Sequence, residues 1–323
     1  MFKRILKWTG FAVLAALLLI SGAVMLRQHR VFDAPYPTIV RSTDSTVLAR
    51  GKYLVYGPAH CADCHGKVGN EAAVNRGEIV DLPGGRAFPV EIGTIYARNI
   101  SSDPETGVGA WPDSVLARSL RHGVGHDGRA LFAFMPFTNM SESDLTAVIS
   151  YVRTLNPVKN KVQENEMNLL GKIIKAFVIQ PVGPSGTPPA TLPIDTTVAY
   201  GEYMAKAVAN CYGCHTDRDL RTGAFVGQPF AGGFHVDSPV DPTHYQCVSR
   251  NITPDPQTGR IYGWTFTQFQ ERFRKGKLIE HSAMPWGPFS RMSDEELKAI
   301  YNFLQTVKPV HNEIKEVLIA KKS

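Results

Sequence analysis

Two short segments of this chain carry the residues best suited to chemistry. Cys61-Ala62-Asp63-Cys64-His65 and Cys211-Tyr212-Gly213-Cys214-His215 each place two thiols two residues apart, with an imidazole directly after them. That order suits covalent attachment of a c-type haem. Two thiols at this spacing can add to the two vinyl groups of one porphyrin, and the histidine of the same turn can reach the iron. A zinc site, which wants four ligands from a paired Cys-x-x-Cys arrangement, and a redox dithiol, which wants a single motif in a βαβ setting, are the competing readings. Two copies 150 residues apart favour haem over both. The fifth cysteine, Cys247, aligns with Ile95 in the repeat described next and reads as a small buried side chain, with an axial or reactive thiol as the alternative.

The motifs belong to an internal repeat. Gly51-Lys52-Tyr53-Leu54 precedes the first as Gly201-Glu202-Tyr203-Met204 precedes the second. Asn99-Ile100-Ser101 answers Asn251-Ile252-Thr253, Trp111 answers Trp264, and Met135-Pro136 answers Met284-Pro285. Each copy then closes with Met140-Ser141 or Met292-Ser293 and a helical pattern. Ser141 and Ser293 open S-x-x-[DE] capping boxes with Asp144 and Glu296, and a methionine just before such a cap serves as a hydrophobic staple. Met135 and Met284 have no such role. The following proline extends the backbone, so the loop can present a thioether, a soft ligand suited to haem iron. The expected ligand sets are His65 with Met135 and His215 with Met284, with His126 and His281 in reserve. Arg98 and Arg250, repeated beside the Asn-Ile pair, are candidates to hold haem propionates.

These residues need helices to position them. The patterns predict helices over 45–56, 113–122, 198–208 and 265–275, with closing helices ended by Asn156-Pro157 and Lys308-Pro309. Gly51 and Gly201 fall mid-helix, where glycine is costly, which predicts close helix–helix approach. Sustained period-two alternation is missing, so the expected class is all-α, with two tandem cytochrome c domains. The boundaries read 45–158 and 198–312, after an N-terminal segment 1–30 and a linker 31–44. A connector, 159–197, holds an amphipathic helix expected to pack between the domains, with a membrane surface or a docking partner as the alternative, then a Pro/Gly-rich linker. Residues 313–323 read as a tail.

Composition narrows the class. With 323 residues, 43% apolar and 20% charged, the chain can bury real cores. Five of its 35 basic residues, Lys3, Arg4, Lys7, Arg27 and Arg30, flank the N-terminal segment, and the remainder nearly balances the 29 acidic residues. Nucleic acid is therefore not an expected partner. Trp8 to Leu26 carry no charge, and as a helix they reach roughly 28 Å, close to the hydrocarbon thickness of a bilayer. With the basic front held in the cytoplasm, this segment reads as a retained single-pass anchor of the inner membrane, with a cleaved signal peptide as the rival. Both put the body in the periplasm.

On these motifs the chain resembles the multihaem c-type cytochrome family that supplies cytochrome subunits to membrane-bound bacterial alcohol, gluconate and aldehyde dehydrogenases. The resemblance covers about residues 45–310. It rests on Cys-x-x-Cys-His, the Asn-Ile-[Ser/Thr] segment followed by Trp, Met-Pro and the final Met-Ser helix. It implies two covalently bound haem c groups on Cys61, Cys64, Cys211 and Cys214. It also implies electron relay from a periplasmic dehydrogenase or other redox protein to quinone, a soluble cytochrome or a terminal oxidase of the respiratory chain. The chain departs from the better-known subunits in having two haem motifs rather than three. A dihaem redox enzyme of the peroxidase or thiosulfate dehydrogenase type is the alternative, and would need one iron free to bind substrate.

Overall fold

The computed structural model describes residues 2–135 and 137–321. Pro136, half of the first Met-Pro pair, lies outside the described residues, as do Met1, Lys322 and Ser323. The chain begins with α1 (Phe2–Arg27), an apolar helix of mean hydropathy 2.3 that is exposed along almost its whole length. By length and composition it suits a membrane span or a signal sequence.

The rest is built as two halves that share most of their order of elements. The first contains α2 (Ser45–Tyr56), α3 (Cys61–His65), α4 (Glu71–Arg76), the hairpin β1 (Ala87–Val90) and β2 (Gly93–Tyr96), α5 (Asp113–His122), a 3-10 turn over Phe137–Asn139 and α6 (Glu142–Val152). Then come β3 (Glu166–Met167) and α7 (Leu169–Phe177). The second half repeats the plan with α8 (Val198–Tyr203) running into a π-helical turn at Met204–Val208, α9 (Cys211–Cys214), β4 (His235–Asp237) and β5 (Tyr245–Val248). It finishes with α10 (Phe266–Arg274), α11 (Trp286–Phe289), α12 (Asp294–Thr306) and β6 (Leu318–Ala320).

The all-α expectation therefore needs amendment. Helices predominate, but each half also carries a three-stranded antiparallel sheet, β1-β2-β3 and β4-β5-β6. The sheets also carry the likeness beyond residues 158 and 312. Glu166–Met167 pairs with β2, and Leu318–Ala320, within the expected tail, pairs with β5.

In each half the helix before the Cys motif packs on the closing helix, α2 on α6 and α8 on α12. Gly51 and Gly201 sit at those crossings as expected. A methyl added at Gly51 would overlap the Ala147 carbonyl, and one at Gly201 the Ala299 carbonyl. Gly201→Ala is accordingly expected to cost about 1–3 kcal/mol by overpacking, read from urea denaturation of the holoprotein. Gly186→Ala, where an added methyl meets open space, should change stability by less than about 0.5 kcal/mol.

Most buried apolar residues of both halves form one contiguous core. A polar network crosses it. Arg50 on α2 bonds Asp144 at 2.9 and 3.0 Å and Glu296 at 2.8 Å. Tyr53 accepts from the Ser293 N–H at 3.0 Å and donates to Glu296. Tyr203 does the same in reverse, accepting from the Ser141 N–H at 3.1 Å and donating to Asp144 at 2.7 Å.

The capping boxes are consequently half right. Ser141 and Ser293 do cap, each accepting from the N–H three residues on at 3.1 Å. Asp144 and Glu296 do not reach back, because the Arg50 charge holds them and a tyrosine from the other half takes the serine N–H.

The connector helix α7 does not lie between the halves. Gly171 lets it close on the Ile92 carbonyl, and Ile174 and Ile179 join Ile92 in a small separate apolar cluster against the first sheet. The Pro/Gly-rich stretch after it is pinned rather than loose: the Pro189 and Ala190 carbonyls accept from the Glu142 and Ser143 N–H groups at 3.0 Å each. Those are first-turn amides of α6 that no helical carbonyl can satisfy.

Candidate haem-binding sites

Each Cys-x-x-Cys-His segment forms a single helical turn entered through a left-handed residue, His60 (φ 40°) before α3 and Asn210 (φ 55°) before α9. Such a start costs a non-glycine residue backbone strain, and its recurrence in both copies marks a turn shaped by its surroundings. None of the five cysteines forms a disulfide. Cys61, Cys64 and Cys211 are partly accessible and Cys214 is exposed. Desolvation nevertheless pushes the Cys61 and Cys211 thiols up to about 12, and Cys64 to about 11 with Asp63 adding to it; Cys214 moves the same way.

The histidines share one arrangement. His65 Nδ1 lies 2.7 Å from the Arg98 carbonyl, and His215 Nδ1 lies 2.8 Å from the Arg250 carbonyl. Since a carbonyl only accepts, Nδ1 carries the proton and Nε2 keeps its lone pair for a metal. Burial holds both imidazoles below their usual value, which also favours the neutral ring.

Arg98 and Arg250 thus touch the histidines through their backbone, a role the sequence does not reveal. The Arg98 guanidinium turns to the connector, onto the Gln163 carbonyl at 3.1 Å and Glu164 at 3.2 Å. Arg250 sits partly buried, with burial and the nearby Arg260 both acting against its charge. Two arginines that the motifs do not single out lie near the second cysteine of each: Arg86 acts on Cys64 and Arg218 on Cys214. Among the described residues the Nε of each is buried without an acceptor. Buried orphan donors of this kind suit an anionic group.

Met135 and Met284 are partly buried against the core, whereas Met140 and Met292 are 1% exposed within it. The reserve histidines have other partners. His126 stacks on Trp111 at 4.2 Å, and His281 Nδ1 meets Ser238 Oγ at 2.9 Å. Cys247 is buried on β5, its thiol donating to the His281 carbonyl at 2.6 Å.

The repeated Asn-Ile segment has a structural use. Asn99 and Asn251 each donate at 2.8 Å to a carbonyl just past the proline that ends a closing helix, Val158 and Val310. They thereby tie down the loop, just past β2 or β5, whose Arg98 or Arg250 carbonyl clamps the histidine.

The two sites brace one another. Arg291, seven residues after Met284, reaches the Tyr56, Val74 and Asn75 carbonyls of the first half at 3.0, 3.1 and 3.2 Å. Arg218, four residues after Cys214, reaches the Ala133 carbonyl beside Met135 at 3.2 Å.

The donor set fits a covalently held haem c. It offers unpaired, protonated thiols and an imidazole with Nε2 free, and among the described residues no group of three or more His, Cys, Asp or Glu could hold a metal ion such as zinc. Comparison with known proteins finds similarity to cytochrome c subunits of alcohol, gluconate and fructose dehydrogenases and to a diheme cytochrome c-type protein. It is 28% identical over 295 residues to the cytochrome c subunit of the quinone alcohol dehydrogenase of Gluconobacter oxydans, covering 84% of this chain and 56% of that one. It is 26% identical over 284 residues to a subunit of the nicotinate dehydrogenase of Pseudomonas putida, covering 84% of this chain and 22% of that one. A diheme cytochrome c-type protein of Cereibacter sphaeroides is 25% identical over 210 residues, covering 63% and 68%. No family model matches the chain. The chain spans about a fifth of the length of the nicotinate dehydrogenase subunit and just over half that of the alcohol dehydrogenase subunit.

Proposed function

We propose that this chain is a membrane-anchored dihaem cytochrome c that relays single electrons in the periplasm, from a dehydrogenase to an acceptor of the respiratory chain. The observation that carries the reading is the duplicated pair of thiols followed by an imidazole whose Nδ1 is committed to a backbone carbonyl, at 2.7 Å in one half and 2.8 Å in the other. Cys61 and Cys64 would hold one haem and Cys211 and Cys214 the other, in tandem cytochrome domains. His65 and Met135 would ligate one iron, and His215 and Met284 the other. Bound haem supplies one-electron chemistry, which no side chain of this protein can replace. The protein's part is to orient the imidazoles through the Arg98 and Arg250 carbonyls, to keep Nε2 unprotonated, and to seat the methionine loops.

The bracing by Arg218 and Arg291 favours relay, because it joins each Cys-bearing half to the methionine loop of the other. The partner is proposed from the relatives: a dehydrogenase subunit as donor, with quinone, a soluble cytochrome or a terminal oxidase as acceptor. The basic front at Lys3, Arg4 and Lys7 supports an inner-membrane orientation with the haems outside.

The test is the holoprotein's haem content and spin state. Two haems per chain, retained on a denaturing gel and low-spin when oxidised, are expected. One haem per chain, or a high-spin ferric haem that binds cyanide or peroxide within seconds, would replace the relay with the dihaem enzyme.

A further inference from the structure

We propose that the outward face of α7 lies in the lipid headgroup region beside the emerging end of α1, seating the first half directly on the bilayer. The inference rests on reading α1 as a retained membrane anchor. The inner side of α7 is fully used: Gly171 closes on the Ile92 carbonyl, and Ile174 is buried with Ile92 and Ile179. Its outer side is apolar and bare. Leu169 is 73% exposed and Phe177 45%, and Leu170, Ile173 and Val178 are exposed with them. The spacing 169, 170, 173, 177 puts the first four on one helical stripe.

Lipid is favoured as the occupant because the stripe adjoins the span itself. Arg27, the last residue of α1, donates through Nε to the Ala176 carbonyl at 3.3 Å, and its guanidinium lies 5.3 Å from the centre of the Phe177 ring. α7 is thereby fixed at the level where α1 leaves the hydrocarbon. Its charges suit headgroups as well: α7 contains Lys172 and Lys175 and no acidic residue. An apolar stripe with basic flanks is the pattern of a helix lying in the interface plane. Such a seat would hold the first haem site at a set height above the membrane, which matters to any partner that shares the bilayer.

The full-length holoprotein can be reconstituted into phosphatidylethanolamine/phosphatidylglycerol vesicles containing a lipid with a diazirine near the start of one acyl chain. After photolysis, crosslinks are mapped by mass spectrometry. Crosslinks are expected both within 8–26 and within 169–178. The second group should fall roughly fivefold or more in the Leu170→Glu/Ile173→Glu variant, with haem absorption confirming that the variant is folded. A milder Leu170→Ser variant should give an intermediate loss. Crosslinks in 8–26 with none in 169–178 would overturn the inference while leaving the anchor. Crosslinks in neither segment would overturn the anchor reading itself.

Discussion

Met284→Ala is expected to abolish one of two sulfur-ligated low-spin haem signals and to leave the other unchanged, and Met135→Ala to do the same for its counterpart. The potential of the affected haem should fall by a sizeable fraction of the ~0.8 V that axial ligands command. Loss of a thioether removes the ligand that favours the reduced iron, hence the downward direction. The checks are the near-infrared and EPR signatures of methionine ligation and a redox titration of each variant.

The comparison that gives this result meaning is Met140→Ala and Met292→Ala. Those side chains are 1% exposed, packed just ahead of the serines that cap α6 and α12. Their loss should cost about 2–5 kcal/mol, as for other buried methionines, while both sulfur-ligated signals survive. Should Met140→Ala or Met292→Ala erase a sulfur signal while Met135→Ala and Met284→Ala do not, the ligand assignment is inverted and the extended Met-Pro loops serve packing instead.

What could be read ahead of the structure was what is local. Cys-x-x-Cys-His works within one turn, and the helices over Ser45–Tyr56 and Asp113–His122 follow from apolar spacing that tertiary context did not override. The strands escaped because they are short and poorly patterned. β1 reads Ala-Phe-Pro-Val, and β3 has only two residues. The clamps on His65 and His215 escaped for a different reason. They are backbone carbonyls 33 and 35 residues away, and a carbonyl leaves no mark in the residue type.

An internal repeat tells which segments are alike but not how the copies dock. Tyr53 and Tyr203 were visible as equivalent positions, yet each spends its hydroxyl on the serine of the other half. The capping boxes misread Asp144 and Glu296 in the same way, because the partner that claims them, Arg50, has no counterpart in the second copy, where Tyr200 stands. The connector helix was legible as amphipathic. Its place beside α1 was not, since an apolar stripe does not name what covers it.

Arg50→Met is expected to have the largest effect on stability. It keeps most of the apolar stem but leaves Asp144 and Glu296 without their cation, and Glu296 is 1% exposed. Removing one partner of a buried charge cluster costs about 3–5 kcal/mol, because the remaining charges are neither hydrated nor paired. Adding Asp144→Asn and Glu296→Gln to Arg50→Met should recover much of the loss, which a packing defect at residue 50 would not allow. The same network predicts an alkaline limit. Burial first, and then carboxylate charge, raises Tyr53, Tyr200 and Tyr203 above the ordinary 10.0. A tyrosine with a raised folded-state value stays neutral while its unfolded counterpart ionises. Its contribution is therefore complete below about pH 10 and drains away as the pH climbs further. Urea midpoints of the holoprotein should be flat from pH 7 to about 9.5 and then fall, and the fall should shrink in Tyr53→Phe/Tyr203→Phe. A flat profile to pH 11, or an Arg50→Met cost below about 1 kcal/mol, would mean that the apolar core alone joins the two halves.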